Sequence, residues 1–195
     1  MDIDEYINGC DDPWDLKKIG ENSRVVKLLG NDIGRVGRVI DIGGGCGFYA
    51  DALRRMGNSV TVLDRSNKMV DEGKKMFPYV SFINGGATRM PFPDHSFNAA
   101  VCMGTLMYIK DRDKFFSEVH RILKTNGLFF LYERNRHDIL NMLVRLVKKT
   151  EKSIDNPSSF LVKSEIRELA MEHGFLVRKI GGGYSNFLVF LLVKK

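Results

Sequence analysis

From Val39 to Gly47 the chain reads Val-Ile-Asp-Ile-Gly-Gly-Gly-Cys-Gly. An apolar run that meets an acid and passes at once into a glycine-crowded turn leaves few folds open. The run predicts a short strand over 38–42, and Phe48 to Met56 continues as a helix. Between them, Asp41 to Gly47 has the spacing Asp-x-Gly-x-Gly-x-Gly. Without Cβ atoms in the way, such a backbone passes close to a bound molecule. Its place between strand and helix also leaves free N–H groups at one mouth of an α/β sheet. The combination points to a nucleoside-cofactor site.

The rest of the chain supplies the sheet. Strands are predicted at 38–42, 59–64, 79–83, 97–103 and 127–133, with helices near 48–56, 66–76 and 111–124 between them. The last helix has Asp111 as its cap, an apolar face of Phe115, Phe116, Val119, Ile122 and Leu123, and Asn126-Gly127 as its end. Before the first strand, 13–29 has helical spacing with Trp14, Ile19, Val25, Val26, Leu28 and Leu29 apolar and Gly30 as a stop. Strand–helix alternation predicts a doubly wound, mostly parallel sheet with helices on both faces.

The last third breaks the rhythm. Asp138 to Lys149 is amphipathic, 151–159 is a polar loop, and Ser164 to His173 is a helix ended by Gly174. Two apolar runs, Phe175–Ile180 and Phe187–Val193, are joined by Gly181 to Asn186. So short a joint links antiparallel neighbours, which predicts a C-terminal hairpin on the sheet.

A chain of 195 residues predicts one domain over 1–195. The longest apolar run is seven residues against the roughly 20 of a membrane span, and the acidic start (Asp2, Asp4, Glu5) lacks the layout of a signal peptide. Cys10, Cys46 and Cys102 are odd in number and lack zinc or redox spacing. They read as free thiols in the cytoplasm, and no metal site is expected. The net charge of +6 is spread along the chain and leaves open an anionic acceptor or RNA.

Several dinucleotide and phosphate loops are excluded by single residues. A Gly-x-Gly-x-x-Gly fingerprint begun at Gly43, Gly44 or Gly45 meets Phe48, Tyr49 or Ala50 in its third place. Even where alanine is tolerated there, Asp41 is left without a role. A P-loop is ruled out because no Gly-Lys-Ser/Thr follows. Val60 to Asp64 is a second apolar strand ending on an acid, 23 residues after Asp41. Asp64 has two readings: an acceptor for both hydroxyls of a ribose, or a cap for the helix beginning near Ser66.

Taken in order, these motifs resemble those of the class I S-adenosylmethionine (SAM)-dependent methyltransferases, in the branch rich in small-molecule enzymes. Asp41 to Gly47 resembles the family's first motif, and Asp64-Arg65-Ser66-Asn67-Lys68-Met69 its Asp-x-Ser-x-x-Met. Asn84 to Asn98 resembles Gly-Asp-Ala-x-x-Leu-Pro-Phe-x-Asp-x-Ser-Phe-Asp, and Arg121 to Gly127 resembles Arg-Val-Leu-Lys-Pro-Gly-Gly. Leu106 to Asp111 resembles Leu-x-His-x-x-Asp, with Tyr108 in the histidine's place. The resemblance covers about 36–133 and implies a Rossmann-like seven-stranded sheet. It implies that Asp41, Gly43, Gly44, Gly45 and Gly47 surround the methionine part of SAM. Asp64 would take the ribose, Arg65 and Met69 flank the adenosine, Ala87 and Thr88 lie at the adenine edge, and Cys102 to Gly104 pass beside the sulfonium. The product would be S-adenosylhomocysteine (SAH).

Two acids usual in the family are missing: Gly86 and Asn98 stand in their places. These departures keep a non-catalytic SAM-binding module as an alternative to an enzyme. Methyl transfer is an in-line displacement, so alignment supplies much of the rate, and a base is needed only for an acceptor that must lose a proton. Tyr108, Glu133 and His137 are the candidate catalytic groups, with Tyr132, Tyr6 and Trp14 near the same mouth. A small-molecule acceptor is expected. Cys102-Met103-Gly104-Thr105 replaces the Asp/Asn-Pro-Pro-Tyr/Phe of amino-methylating DNA enzymes, and no cysteine follows a proline, as cytosine-C5 enzymes require. An RNA methyltransferase stays open. The basic segment 134–160 is expected to form a surface helix or a lid over the acceptor, and 1–37 a helical N-terminal segment.

Overall fold

The computed structural model describes residues 24–134, 162–181 and 187–195. Helix α1 (Arg24–Asp32) precedes β1 (Arg38–Ile42), α2 (Phe48–Arg55), β2 (Ser59–Asp64), α3 (Asn67–Met76), β3 (Ser81–Asn84) and β4 (Phe97–Met103). A one-turn 3-10 helix (Leu106–Tyr108) leads to α4 (Arg112–Ile122) and β5 (Leu123–Arg134). Helix α5 (Lys163–Glu172), β6 (Phe175–Gly181) and β7 (Phe187–Lys194) complete the described chain. Among these residues the strands form one seven-stranded sheet in the order β3-β2-β1-β4-β5-β7-β6. Strand β7 runs antiparallel to both β5 and β6, and the other pairings are parallel. The doubly wound sheet with its antiparallel C-terminal hairpin is thus as expected.

Alternating side chains give the sheet two buried faces. One carries Ile40, Ile42, Ala100, Phe129 and Phe190 against Phe115, Phe116, Val119 and Ile122 of α4 and Ile166 of α5. The other carries Val39, Val62, Val101 and Phe130 against Leu29 of α1, Leu53 of α2 and Val70 of α3. Strand order reverses between β1 and β4, so their carboxyl ends open a crevice where the connecting chains diverge.

Three expectations need correction. Gly30 does not stop the first helix, which runs on to Asp32 and closes at Gly34, where a φ of 57° lets its N–H bond Leu29 O at 3.1 Å. Asn126-Gly127 does not end α4, because β5 begins directly at Leu123. That pair lies instead in an irregularity of β5, where the pairing jumps from Phe97–Leu123 to Ala99–Leu128 and Asn126 takes a φ of 61°. Strand β3 starts at Ser81 rather than at 79. The amphipathic stretch 138–149, the lid segment 134–160 except Arg134, and the first 23 residues lie outside the described residues.

Candidate active site

At the carboxyl end of β1, Asp41 is fully buried, and neither of its carboxylate oxygens has a hydrogen-bond partner among the described residues. Burial, and then the Asp64 charge, push its pKa up to about 7. The turn that follows fits closely around it. A Cβ on Gly44 would lie 2.5 Å from Asp41 Oδ2. One on Gly43, where φ is 70°, would lie 2.3 Å from the Thr105 side chain. Glycine is therefore required at both positions. At Gly45 the same test meets nothing within 4 Å, so the turn has a tight back and an open front.

Asp64, at the end of β2, ties the neighbouring loops together. Its Oδ2 accepts the Gly45 N–H and its Oδ1 the Ser66 N–H, both at 2.9 Å. Ser66, not Asp64, caps α3: its side chain accepts the Met69 N–H at 3.3 Å. Of the two readings of Asp64, helix capping therefore falls away. Met69 Sδ sits 3.4 Å from Cys46 Sγ, which brings the start of α3 against the glycine turn. Burial first, then Glu72 and Asp64, push the Cys46 thiol up to about 11, so it stays protonated. Gly85 N–H bonds Asp64 O at 3.0 Å, which joins the chain after β3 to the same corner.

The other candidates are more dispersed. Arg65 and Gly86 are exposed, while Ala87 and Thr88 are half-buried and Ala87 packs against the core. The Cys102 side chain enters the core beside Ile42, and burial pushes its thiol well up, so its own sulfur offers nothing to the mouth. Tyr108, 49% exposed, closes the one-turn helix after β4. Glu133 is no exposed base: it is 2% exposed, and its Oε1 accepts the N–H groups of Thr105 and Leu106 at 2.9 and 2.7 Å. Tyr132 is buried and stacked on Phe187, with centroids 4.9 Å apart. His137, Tyr6 and Trp14 lie outside the described residues.

Asn98 belongs elsewhere. At the start of β4 it is at the opposite rim of the sheet, where its Oδ1 accepts the Arg38 N–H at 3.1 Å. Replacing an acid there leaves the cofactor mouth untouched, which removes one reason for reading the chain as a binding-only module. Thr105 was missed from sequence: its hydroxyl donates to Gly43 O at 3.2 Å across 62 residues of chain, a pairing no local pattern signals.

The site fits a cationic, nucleoside-bearing group. A buried carboxylate without a donor, an open glycine and a second carboxylate held at the neighbouring strand end leave a mouth suited to positive charge. A methyltransferase-domain family model matches residues 40–131. A demethylmenaquinone methyltransferase of Renibacterium salmoninarum is 29% identical over 161 residues, covering 77% of this chain and 68% of that protein. The ubiquinone/menaquinone biosynthesis C-methyltransferase UbiE of Bartonella bacilliformis is 33% identical over 128 residues, covering 60% of this chain and 48% of its own length. The chain thus spans only about half to two thirds of these curated relatives. The crystal structure of a SAM-dependent methyltransferase from Aquifex aeolicus superposes with a TM-score of 0.74 at 18% identity, covering 98% of both chains. Residues 40–131 thus match a methyltransferase domain, and the fold is that of a SAM-dependent methyltransferase of solved structure.

Proposed function

We propose that this protein transfers a methyl group from SAM to a small-molecule acceptor held over the carboxyl ends of β4 and β5. The observation that carries the reading is the unpartnered, fully buried Asp41 carboxylate beneath a turn whose front is open at Gly45. When bound, SAM supplies an activated methyl group on a cationic sulfur. Asp41 and the backbone of Gly43, Gly44, Gly45 and Gly47 hold its methionine part, and Asp64 accepts its ribose hydroxyls. Arg65 and Met69 flank the adenosine, with Ala87 and Thr88 at the adenine edge and the chain from Cys102 to Gly104 beside the sulfonium.

On the acceptor side the chain's task is alignment. Tyr108 stands at the rim with a phenol able to orient an acceptor hydroxyl. Glu133, buried and bound to backbone, orients the loop rather than removing a proton. The relatives named for demethylmenaquinone and for ubiquinone/menaquinone C-methylation support a ring-bearing quinol-type acceptor. The +6 charge supports one that also carries negative charge. Free Cys46 and Cys102 support a cytoplasmic setting. No helix among the described residues is long and apolar enough to cross a membrane.

Incubation with methyl-labelled SAM, a metabolite extract and a demethylated quinol, followed by mass spectrometry, tests the proposal. A labelled small molecule formed in proportion to SAH supports it. SAH release without any labelled product, or no SAH at all, overturns it.

A further inference from the structure

Glu133 offers a role that neither its candidacy as a base nor the cofactor motifs anticipate. Its carboxylate is turned onto the chain that follows β4. Besides the N–H groups of Thr105 and Leu106, that of Met107 also hydrogen-bonds it, and Arg112 adds positive charge nearby. Three successive N–H groups at the start of the one-turn helix therefore converge on one carboxylate. Removing it would leave buried donors without acceptors. Thr105, anchored by its backbone, turns its hydroxyl to Gly43 O, and its side chain fills the space over the Gly43 α-carbon. A chain of contacts thus runs from β5 across the loop after β4 to the glycine turn after β1.

We infer that Glu133 is a positioning residue that sets the glycine turn through Thr105, so that cofactor affinity depends on a carboxylate that does not touch the cofactor. The inference rests on reading that turn as the SAM site. A carboxyl group suits the task because a single oxygen can accept more than one N–H donor in a dry setting. The contact with Gly43 also leaves Thr105 little freedom to move without moving the turn.

The test is equilibrium binding of SAH by calorimetry to the wild type, Glu133→Ala, Glu133→Gln, Thr105→Val and the Glu133→Ala/Thr105→Val double variant. Each is measured at a temperature where circular dichroism shows it folded. Glu133→Ala is expected to bind about 10- to 100-fold more weakly, and Glu133→Gln, which keeps one acceptor oxygen, about 3-fold. If Glu133 acts through Thr105, the double variant binds no more weakly than Glu133→Ala alone. Losses that multiply overturn the inference, as does a Glu133→Ala variant that melts earlier yet binds SAH as the wild type does. Should Glu133→Ala fail to fold, Glu133→Gln is read instead: weaker binding with faster amide exchange at Thr105 and Leu106 supports the role, and unchanged affinity overturns it. A wild type that does not bind SAH sinks the cofactor reading itself, a different result from a wild type that binds alongside unaffected variants.

Discussion

The two rims of the sheet use their polar groups in opposite ways. At the rim where the parallel strands begin, polar side chains are saturated with partners. Asn58, 5% exposed, accepts the N–H groups of Val36 and Gly37 and donates to the carbonyls of Gly34 and Leu53. Arg121 holds Glu118, Asp94 and the carbonyls of Met90 and Phe92. Lys194, 4% exposed, donates to the carbonyls of His120 and Leu123 at 2.7 and 2.8 Å. At the rim where those strands end, Asp41 has no such partner and Gly45 and Gly86 face open space. A buried polar group left unsatisfied costs stability, so its persistence at one rim marks where a ligand completes the structure.

The contrast breaks most visibly at Asn58. Truncation to alanine deletes four hydrogen bonds and orphans buried backbone groups, which should cost about 3–5 kcal/mol of stability. SAH affinity of the folded variant should hold within about 3-fold, because the site stands at the other rim. Denaturant melts and calorimetry on one preparation check both. A large affinity loss with little destabilisation would mean that the rims are not separate in function.

Asp64→Ala should show the reverse ratio. Its carboxylate accepts two backbone N–H groups, each at 2.9 Å, so a stability loss of about 1 kcal/mol is expected from loosening the turn. Two charge-assisted hydrogen bonds to ribose hydroxyls, not fully additive, predict an SAH affinity about 10- to 1,000-fold weaker. Because Ser66 caps α3, helix fraying cannot explain a loss of binding. Melting temperature and dissociation constant on the same variant decide, and intact affinity would remove Asp64 from the ribose.

These cases show what was legible in the sequence. The strand ends, the alternation and the two acids are local patterns, and a strand's direction follows once the sheet is parallel. Asn98 was legible in the same way, since a residue opening a parallel strand lies away from the mouth. Reading it by motif rather than by position gave it a bearing on the cofactor that it lacks. Choosing between Asp64 and Ser66 as the cap turns on one step of backbone geometry, which neighbouring polar residues do not reveal. Thr105 against Gly43, and Glu133 beneath Leu106, join residues 62 and 27 positions apart. Such contacts follow from how β1, β4 and β5 line up, and no window of sequence contains them.

Asp41 sharpens the comparison through pH. Burial, and then the Asp64 charge, push its carboxyl from the ordinary 3.8 up to about 7 in the folded protein. Between those values the folded protein keeps a proton that the unfolded chain has released, so stability falls as pH rises through that window and levels off above it. Glu133, raised from 4.5 to about 8 mainly by burial, adds a slope of the same sign. Asp41→Asn should flatten its share and be no less stable than the wild type at pH 8. A cationic ligand favours the ionised form, so wild-type SAM affinity should rise from pH 6 to pH 8. The variant should stay nearly flat and about 10-fold weaker at the upper end. Parallel pH profiles for the two proteins would mean that Asp41 does not meet the ligand's charge.

The smallest effect is expected at Gly86, where the open rim can be filled rather than emptied. A Cβ there meets nothing within 4 Å, and the backbone lies outside the left-handed region, so a side chain enters without strain. The resemblance puts an acid at this place to accept the adenine amino group. Such a bond contributes about 1.5–3 kcal/mol at most. Ordering an exposed side chain costs part of that, about 0.5–1 kcal/mol. Arg89, whose N–H bonds Gly86 O at 3.3 Å, is close enough in sequence and space to compete for the new carboxylate. The balance predicts that Gly86→Asp binds SAH about 3- to 10-fold more tightly than the wild type, with Gly86→Ala unchanged as the steric control. Repeating the titration with inosyl-homocysteine, which lacks the amino group, should erase the gain. If aspartate and alanine bind alike, the adenine edge is satisfied elsewhere, and the open space at Gly86 belongs to solvent.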